Sequence, residues 1–168
     1  MRVLGIDPGM ADTGWAVLDD SKLAASGLVK TSPPHALPER LRRIHDSISE
    51  LLSRFSPEAF AVEEMFFLQA AHSVRATLQA RGVILLAAAQ AKVPVFEYNP
   101  RQVKSALTGS GTAPKSQMQK MVARTLGLEE ELRPDDVSDA AAIALCHFRL
   151  SRFKSVRVLE KLGGRGRL

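Results

Sequence analysis

Three short apolar segments follow one another within the first 30 residues, and this opening constrains the fold more than any other feature of the chain. Residues 2–7 are mostly apolar and end at the turn-forming pair Pro8-Gly9. Residues 14–19 and 23–30 follow, and the short Asp-Asp-Ser-Lys connection between them predicts an antiparallel hairpin. We therefore expect three strands before the first helix, with the second and third paired as a hairpin.

Helix and strand patterns alternate along the rest of the chain. In residues 37–55 the apolar positions recur every three or four residues, which is the spacing of an amphipathic helix. The remaining strands are predicted at 59–62 and 93–98, and the remaining helices at 69–91, 99–107, 115–126 and 136–150. This order predicts an α/β fold in which helices cover both faces of a five-stranded mixed sheet. We expect one domain over residues 1–154 and a basic, flexible tail over 155–168.

The charge distribution predicts a polyanionic partner. The net charge is +5, and between Met65 and Leu128 the only acid is Glu97. The same stretch carries eight basic residues, which are Arg75, Arg81, Lys92, Arg101, Lys104, Lys115, Lys120 and Arg124. A surface dominated by one sign of charge attracts nucleic acid, although a merely solvated basic surface is the simpler alternative. We expect Arg75, Arg101 and Lys120 to be among the nucleic-acid contacts.

Several classes of protein can be set aside. The single cysteine, Cys146, rules out an internal disulfide and a cysteine-based zinc cluster, and we assign it to the core without giving a role to its neighbour His147. The sequence contains no apolar run of about 18 residues, so no transmembrane helix is expected. The first residues lack the apolar region of a signal peptide. We therefore expect a reducing, cytoplasmic location and no association with a membrane.

Four acidic residues lie where a strand ends or a helix begins: Asp7, Glu63, Asp136 and Asp139. Asp136 and Asp139 are three residues apart, so they share one face of the last helix. Hard cations such as Mg²⁺ prefer oxygen ligands, and two such ions roughly 4 Å apart can stabilise the attacking and leaving oxygens of a phosphodiester. If the four carboxylates converge, they predict a two-metal nuclease site.

Each of these acids also has a purely structural interpretation. Asp-Pro-Gly is a common turn, Glu63 and Glu64 could be the solvated end of a strand, and the aspartates could cap the last helix. Asp135 and Asp139 are four residues apart and also share a face, so spacing does not decide between Asp135 and Asp136. The combination of carboxylates with basic surroundings is what favours a nuclease.

Residues near these acids offer contacts to nucleic acid. Phe66 follows the glutamate pair and could stack on an unpaired base, although phenylalanine more often belongs to a core. Lys104 and Lys115 flank a Thr-Gly-Ser-Gly-Thr-Ala-Pro loop and could hold phosphates. Ser110 in that loop offers backbone and hydroxyl donors, which is a weaker signal.

The helix expected at 69–91 is apolar or small-sided on two faces, so both faces should be buried. One face can pack on the sheet. The other face could meet a second subunit or lie inside the monomer, and periodicity alone leaves both interpretations open.

Six motifs, in order and spacing, resemble the RuvC family of Holliday-junction resolvases over about Val3 to Phe148: LGIDPG, FAVEEMFF, ARGV, PVFEYNPRQVK, KSQMQKMV and DVSDAAAIA. The resemblance implies an RNase H-like fold, a homodimer, and two Mg²⁺ or Mn²⁺ ions in each active site. It also implies paired symmetric nicks in four-way DNA junctions during recombination and repair, with 5′-phosphate and 3′-hydroxyl ends.

The resemblance also implies roles for particular residues. It assigns DNA contact and catalysis to Lys104 and Lys115, places Phe66 near the junction's unpaired base, and puts helix 69–91 at the dimer interface. It implies cooperation with the branch-migration proteins RuvA and RuvB. By position, it assigns metal binding to Asp7, Glu63, Asp136 and Asp139.

Other functions remain alternatives at this point. A catalytically inert protein that binds junctions or RNA would need none of the four carboxylates. An RNase H-like nuclease could act instead on RNA or on hybrids. Sugar-kinase-like phosphotransferases share an early Gly-Ile-Asp-x-Gly turn, but they need two such domains, and 168 residues are too few.

Overall fold

Five strands and five helices make up the part of the chain that the structure, a computed structural model, describes: residues 1–64 and 72–151. The tail expected over 155–168 and residues 69–71 of the expected long helix lie outside these ranges. The strands are β1 (Arg2–Asp7), β2 (Asp12–Asp19), β3 (Lys22–Lys30), β4 (Ala59–Glu63) and β5 (Val95–Tyr98). The helices are α1 (Leu37–Phe55), α2 (His72–Gln90), α3 (Pro100–Thr108), α4 (Lys115–Leu126) and α5 (Asp135–Ser151).

The strands form one mixed sheet in the order β3-β2-β1-β4-β5. Short turns join β1, β2 and β3, which are therefore antiparallel neighbours. Because α1 and α2 carry the chain back across the sheet, β4 runs parallel to β1, and β5 runs parallel to β4. The carboxyl ends of β1, β4 and β5 consequently lie at one edge, and the predicted five-stranded mixed sheet is confirmed.

Alternation along β1 sends its side chains into two separate cores. Val3 packs in a core with α3, α4 and α5, whereas Leu4 and Ile6 pack in a second core with α1 and α2. Helices thus cover both faces of the sheet, as predicted. α5 lies against β1 and β2 and is buried over most of its length.

Two strands begin two residues away from their predicted starts because of hydrogen bonding. β2 begins at Asp12 rather than at residue 14, since Asp12 pairs with Lys30 of β3. β5 begins at Val95 rather than at residue 93, since the Val93 N–H bonds back to the end of α2. No helix in the described ranges is long and apolar enough to cross a membrane.

Candidate active site

Asp7 and Glu63 end two neighbouring parallel strands, β1 and β4. The two strands are paired up to the residues just before these acids, so both side chains start from the same edge of the sheet. The pKa of Asp7 is raised to about 7, first by burial and then by the negative charges of Asp139, Glu63 and Asp136. The Asp7 carboxyl group therefore lies within electrostatic reach of all three other acids.

Two glycines allow α5 to bring Asp136 and Asp139 to this edge. Gly14 of β2 pairs with Asp7, and a Cβ atom on Gly14 would lie 2.0 Å from the carbonyl oxygen of Asp136. A Cβ atom on Gly5 of β1 would lie 2.3 Å from another α5 carbonyl oxygen. The helix therefore rests directly on the backbone of β1 and β2, with its first turn beside Asp7.

Burial and repulsion raise the pKa of two further carboxyl groups. The pKa of Glu63 is raised by burial and by the charge of Asp139. The pKa of Asp139 is raised chiefly by burial, and Lys115 opposes that shift. Carboxylates held under these conditions would be stabilised by a nearby cation, and their oxygens are the donors that hard divalent cations prefer.

The chemistry of this donor set fits a divalent metal, but the side chains do not yet surround one. Within residues 1–64 and 72–151, no three acidic, histidine or cysteine side chains are close enough to hold an ion as they stand. Asp139 is instead ion-paired with Lys115. Metal binding would therefore require the carboxylates to turn toward one another and Asp139 to exchange its ammonium partner for the metal.

Two lysines reach the acids from the helices on either side of the loop at residues 109–114. Lys115 begins α4, and its Nζ lies 3.1 Å from Oδ2 of Asp139 and 3.2 Å from Oδ2 of Asp135. Lys104 of α3 lies close enough to Glu63 to oppose the rise in its pKa. The structure thus brings both candidate lysines to the carboxylates.

The other nucleic-acid candidates are not joined to the carboxylates. Ser110 is exposed, and its hydroxyl group is hydrogen-bonded within the loop. Arg75, Arg101 and Lys120 are exposed on α2, α3 and α4, and none of them forms an ion pair in the part of the chain that the structure describes. Phe66 lies outside the described residues.

Glu64 belongs to a different group of charges from its neighbour Glu63. Burial lowers the pKa of Arg81, and the negative charge of Glu64 opposes that shift. Arg81 of α2 is ion-paired with Glu97 of β5. The two neighbouring glutamates therefore act on different groups, Glu63 with Asp139 and Lys104, and Glu64 with Arg81.

Sequence reasoning missed a buried hydrogen bond at the far end of α5. His147 Nδ1 and the Tyr98 hydroxyl oxygen lie 2.7 Å apart, and both side chains are buried. Burial lowers the pKa of His147 to about 4. His147 follows Asp136 by eleven residues, about three helical turns, and so lies on the same side of the helix, which is a signal that the sequence contains. Cys146 is buried in the core, as expected.

Comparison with known proteins shows similarity to one family along most of the chain. The model of the family described as Crossover junction endodeoxyribonuclease RuvC matches residues 3–147. The crossover junction endodeoxyribonuclease RuvC of Endomicrobium trichonymphae is 45% identical over 152 residues, covering 88% of this chain and 80% of that protein. The protein of the same name from Chloroflexus aggregans is 46% identical over 151 residues, covering 88% and 92%.

Solved structures of RuvC proteins are also similar to this chain along most of its length. Thermus thermophilus RuvC has a TM-score of 0.88 and 42% identity, with 94% of this chain and 99% of that chain covered. The same protein in complex with Holliday junction substrate has a TM-score of 0.90 at the same identity and coverage. The yeast mitochondrial Holliday junction resolvase, at 16% identity and a TM-score of 0.60, shows likeness of fold alone.

Proposed function

The chain belongs to the RuvC family of crossover junction endodeoxyribonucleases, and from this premise we propose that Asp7, Glu63, Asp136 and Asp139 form its catalytic centre. The enzyme is a hydrolase that cuts DNA at Holliday junctions in recombination and repair. In our proposal it makes paired symmetric nicks and leaves 5′-phosphate and 3′-hydroxyl ends.

The environment of Asp7 carries this assignment. Burial, followed by the charges of three acids from β4 and α5, raises the pKa of its carboxyl group to about 7. Enzymes of the family depend on divalent metal, and Asp7, Glu63, Asp136 and Asp139 would hold it as two Mg²⁺ or Mn²⁺ ions. Ions bound there supply an activated water molecule and stabilise the leaving oxygen.

The basic residues would position the DNA. Lys115 and Lys104 lie beside the carboxylates, where an ammonium group can hold the phosphate that is cut. Arg75, Arg101, Lys120 and the loop residue Ser110 would contact phosphates farther from the cut, and Phe66 would contact an unpaired base. Because phosphate contacts dominate such binding, affinity should fall steeply as salt rises.

We also propose that two copies associate through the helix at 69–91. Leu78 and Leu86 of α2 are 37% and 50% exposed, and Gly82 between them has open space beside it. The three positions are four residues apart and form one stripe. A two-fold dimer would place two active sites on a junction that has two-fold symmetry of its own.

Three expectations stay predictions. These are one nuclease domain over residues 1–154, cooperation with RuvA and RuvB, and a cytoplasmic location. The family resemblance supports the second, and the single cysteine supports the third.

The test of the proposed function is cleavage of a labelled mobile four-way junction by the purified protein. Mg²⁺ or Mn²⁺ should produce paired nicks at symmetric positions that DNA ligase can seal, and EDTA should prevent them. An Asp7→Asn variant should bind the junction with wild-type affinity and fail to cut it. Equal cleavage by this variant would refute the site assignment, whereas tight binding with no cleavage by the wild type would refute the nuclease function.

A further inference from the structure

Asp135 lies next to the proposed metal ligand Asp136 but has a separate set of partners. Its Oδ1 accepts hydrogen bonds from Gln119 Nε2 at 2.8 Å and from Arg133 Nη1 at 2.9 Å. Its Oδ2 lies 3.2 Å from Nζ of Lys115. Each oxygen is therefore engaged by a neighbouring cation or amide.

These contacts fix the direction of the Asp135 side chain. The Gln119 side chain is buried on α4, only one turn from Lys115 along the same helix. Two donors that engage Oδ1 leave Oδ2 facing Lys115. Asp135 thus ties the beginning of α4 to the beginning of α5.

Lys115 is shared between Asp135 and Asp139 in this arrangement. An Asp139 oxygen that binds a cation is no longer available to an ammonium group. Asp135 remains available, and its ion pair can keep Lys115 beside the carboxylates. The Lys115 side chain is 55% exposed. Once Asp139 binds a cation, the ion pair with Asp135 would therefore set where the ammonium group lies.

We infer that Asp135 is a positioning residue that holds Lys115 at the catalytic centre, and that it is not itself a metal ligand. The inference rests on the role proposed above for Lys115 in junction cleavage. It also separates the neighbouring aspartates by function, because Asp136 has no such contact with Lys115 in the described chain.

The test compares Asp135→Asn with Lys115→Met and with the double variant in single-turnover cleavage of the junction. Asp135→Asn should slow cleavage roughly three- to tenfold, the size expected when an exposed ion pair orders a reacting group. It should leave nearly unchanged the enzyme concentration that gives half the maximal rate. In the Lys115→Met background it should have no further effect beyond about twofold, because the residue it positions is absent.

Two control variants separate positioning from other roles. Asp135→Glu keeps the charge and should restore most of the rate. Glu131→Gln removes a carboxylate that also pairs with Arg133 but has no contact with Lys115, so it should cut at the wild-type rate. If Asp135→Asn unfolds early in thermal denaturation, Asp135→Ser, which suits a helix start, takes its place.

A measurement without DNA distinguishes the remaining outcomes. Mn²⁺ binding to the free protein, followed by electron paramagnetic resonance, should be unchanged in Asp135→Asn and weakened in Asp139→Asn. Loss of Mn²⁺ binding in Asp135→Asn would make Asp135 a ligand and overturn the inference. A wild-type cleavage rate in Asp135→Asn, or an effect that adds fully to that of Lys115→Met, would also overturn it. Failure of the wild type to cut junctions would instead count against the proposed function.

Discussion

At Asp7 the requirements of folding and of the proposed metal site oppose each other. The carboxyl group is partly buried beside Glu63, Asp136 and Asp139, and all of these influences favour its protonated form. Metal binding requires the ionised form. Without metal, the ionised group therefore destabilises the fold. Carboxyl groups whose pKa is shifted in this way cluster at functional sites.

The expected consequence is that Asp7→Asn stabilises the metal-free protein at neutral pH. The ordinary pKa of aspartate is 3.8, and the folded protein raises it to about 7. Between these values the folded state keeps a proton that the unfolded state has released, so stability is lost as pH rises through about 7. Three pKa units correspond to at most ~4 kcal/mol, and solvent reduces this figure.

Urea unfolding in EDTA, from pH 4 to pH 8, would measure this effect. The advantage of Asp7→Asn over the wild type should grow across the range and vanish near its acid end. Glu50→Gln, which alters an exposed residue of α1 with no ion pair in residues 1–64 and 72–151, serves as the control and should not be more stable than the wild type at pH 8. A wild type as stable as Asp7→Asn at pH 8 would contradict the prediction.

α5 is held against the sheet by different means at its two ends. Near Asp136, close backbone packing on Gly14 and Gly5 sets its distance from β1 and β2. Near its other end, the buried hydrogen bond between Tyr98 and His147 joins it to β5. Both contacts act on the helix that carries two of the proposed metal ligands, so they set where these aspartates lie relative to Glu63.

Tyr98→Phe should lower the free energy of unfolding by ~1–3 kcal/mol, because it leaves the buried His147 nitrogen without its partner. The measurement is urea unfolding at pH 7, where the lowered pKa keeps His147 neutral. In a double-mutant cycle, the loss should be much smaller in a His147→Leu background, where no nitrogen is left unpaired. An equal loss in both backgrounds would show that the hydroxyl group stabilises the protein in another way.

The apolar stripe on α2, formed by Leu78, Gly82 and Leu86, bears on how two copies of the chain would associate rather than on how one copy folds. Leu78 and Leu86 contribute little to either core while they are exposed, and the opposite side of α2 is buried against α1. Large exposed apolar side chains in one line are typical of an interface. A two-fold interface would place the same stripe of each copy against its partner.

Leu86→Glu should therefore convert the proposed dimer into monomers, because two buried, unpaired carboxylates would meet at the proposed interface. Sedimentation velocity measures the change. Cleavage should shift from paired nicks toward single, uncoupled nicks, since each monomer keeps its own catalytic centre. Leu37→Glu is the matched control: Leu37 is 40% exposed at the start of α1 and is not part of the stripe, so the variant should sediment as the wild type does. Monomers formed equally by both variants would refute the interface.

The sequence alone determined the order of the elements and the positions of the acids at their ends. Strand and helix periodicities depend on neighbours two to four residues away, so the ends of β1 and β4, and with them Asp7 and Glu63, could be predicted. The basic stretch around Lys104 and Lys115 was likewise readable from composition. The family resemblance then assigned roles that no local pattern carries.

Only the tertiary structure decided how those residues are arranged around one another. Gly14 lies 122 positions before Asp136, and Lys115 lies 20 before Asp135, so no periodicity relates either pair. Gly14 and Asp136 come together because α5 packs directly on the glycine backbone of β2. Lys115 and Asp135 come together because the start of α4 lies beside the start of α5. Asp135 and Asp136 look alike in the sequence because both suit a helix start, and they differ in the folded chain because only one of them faces a lysine.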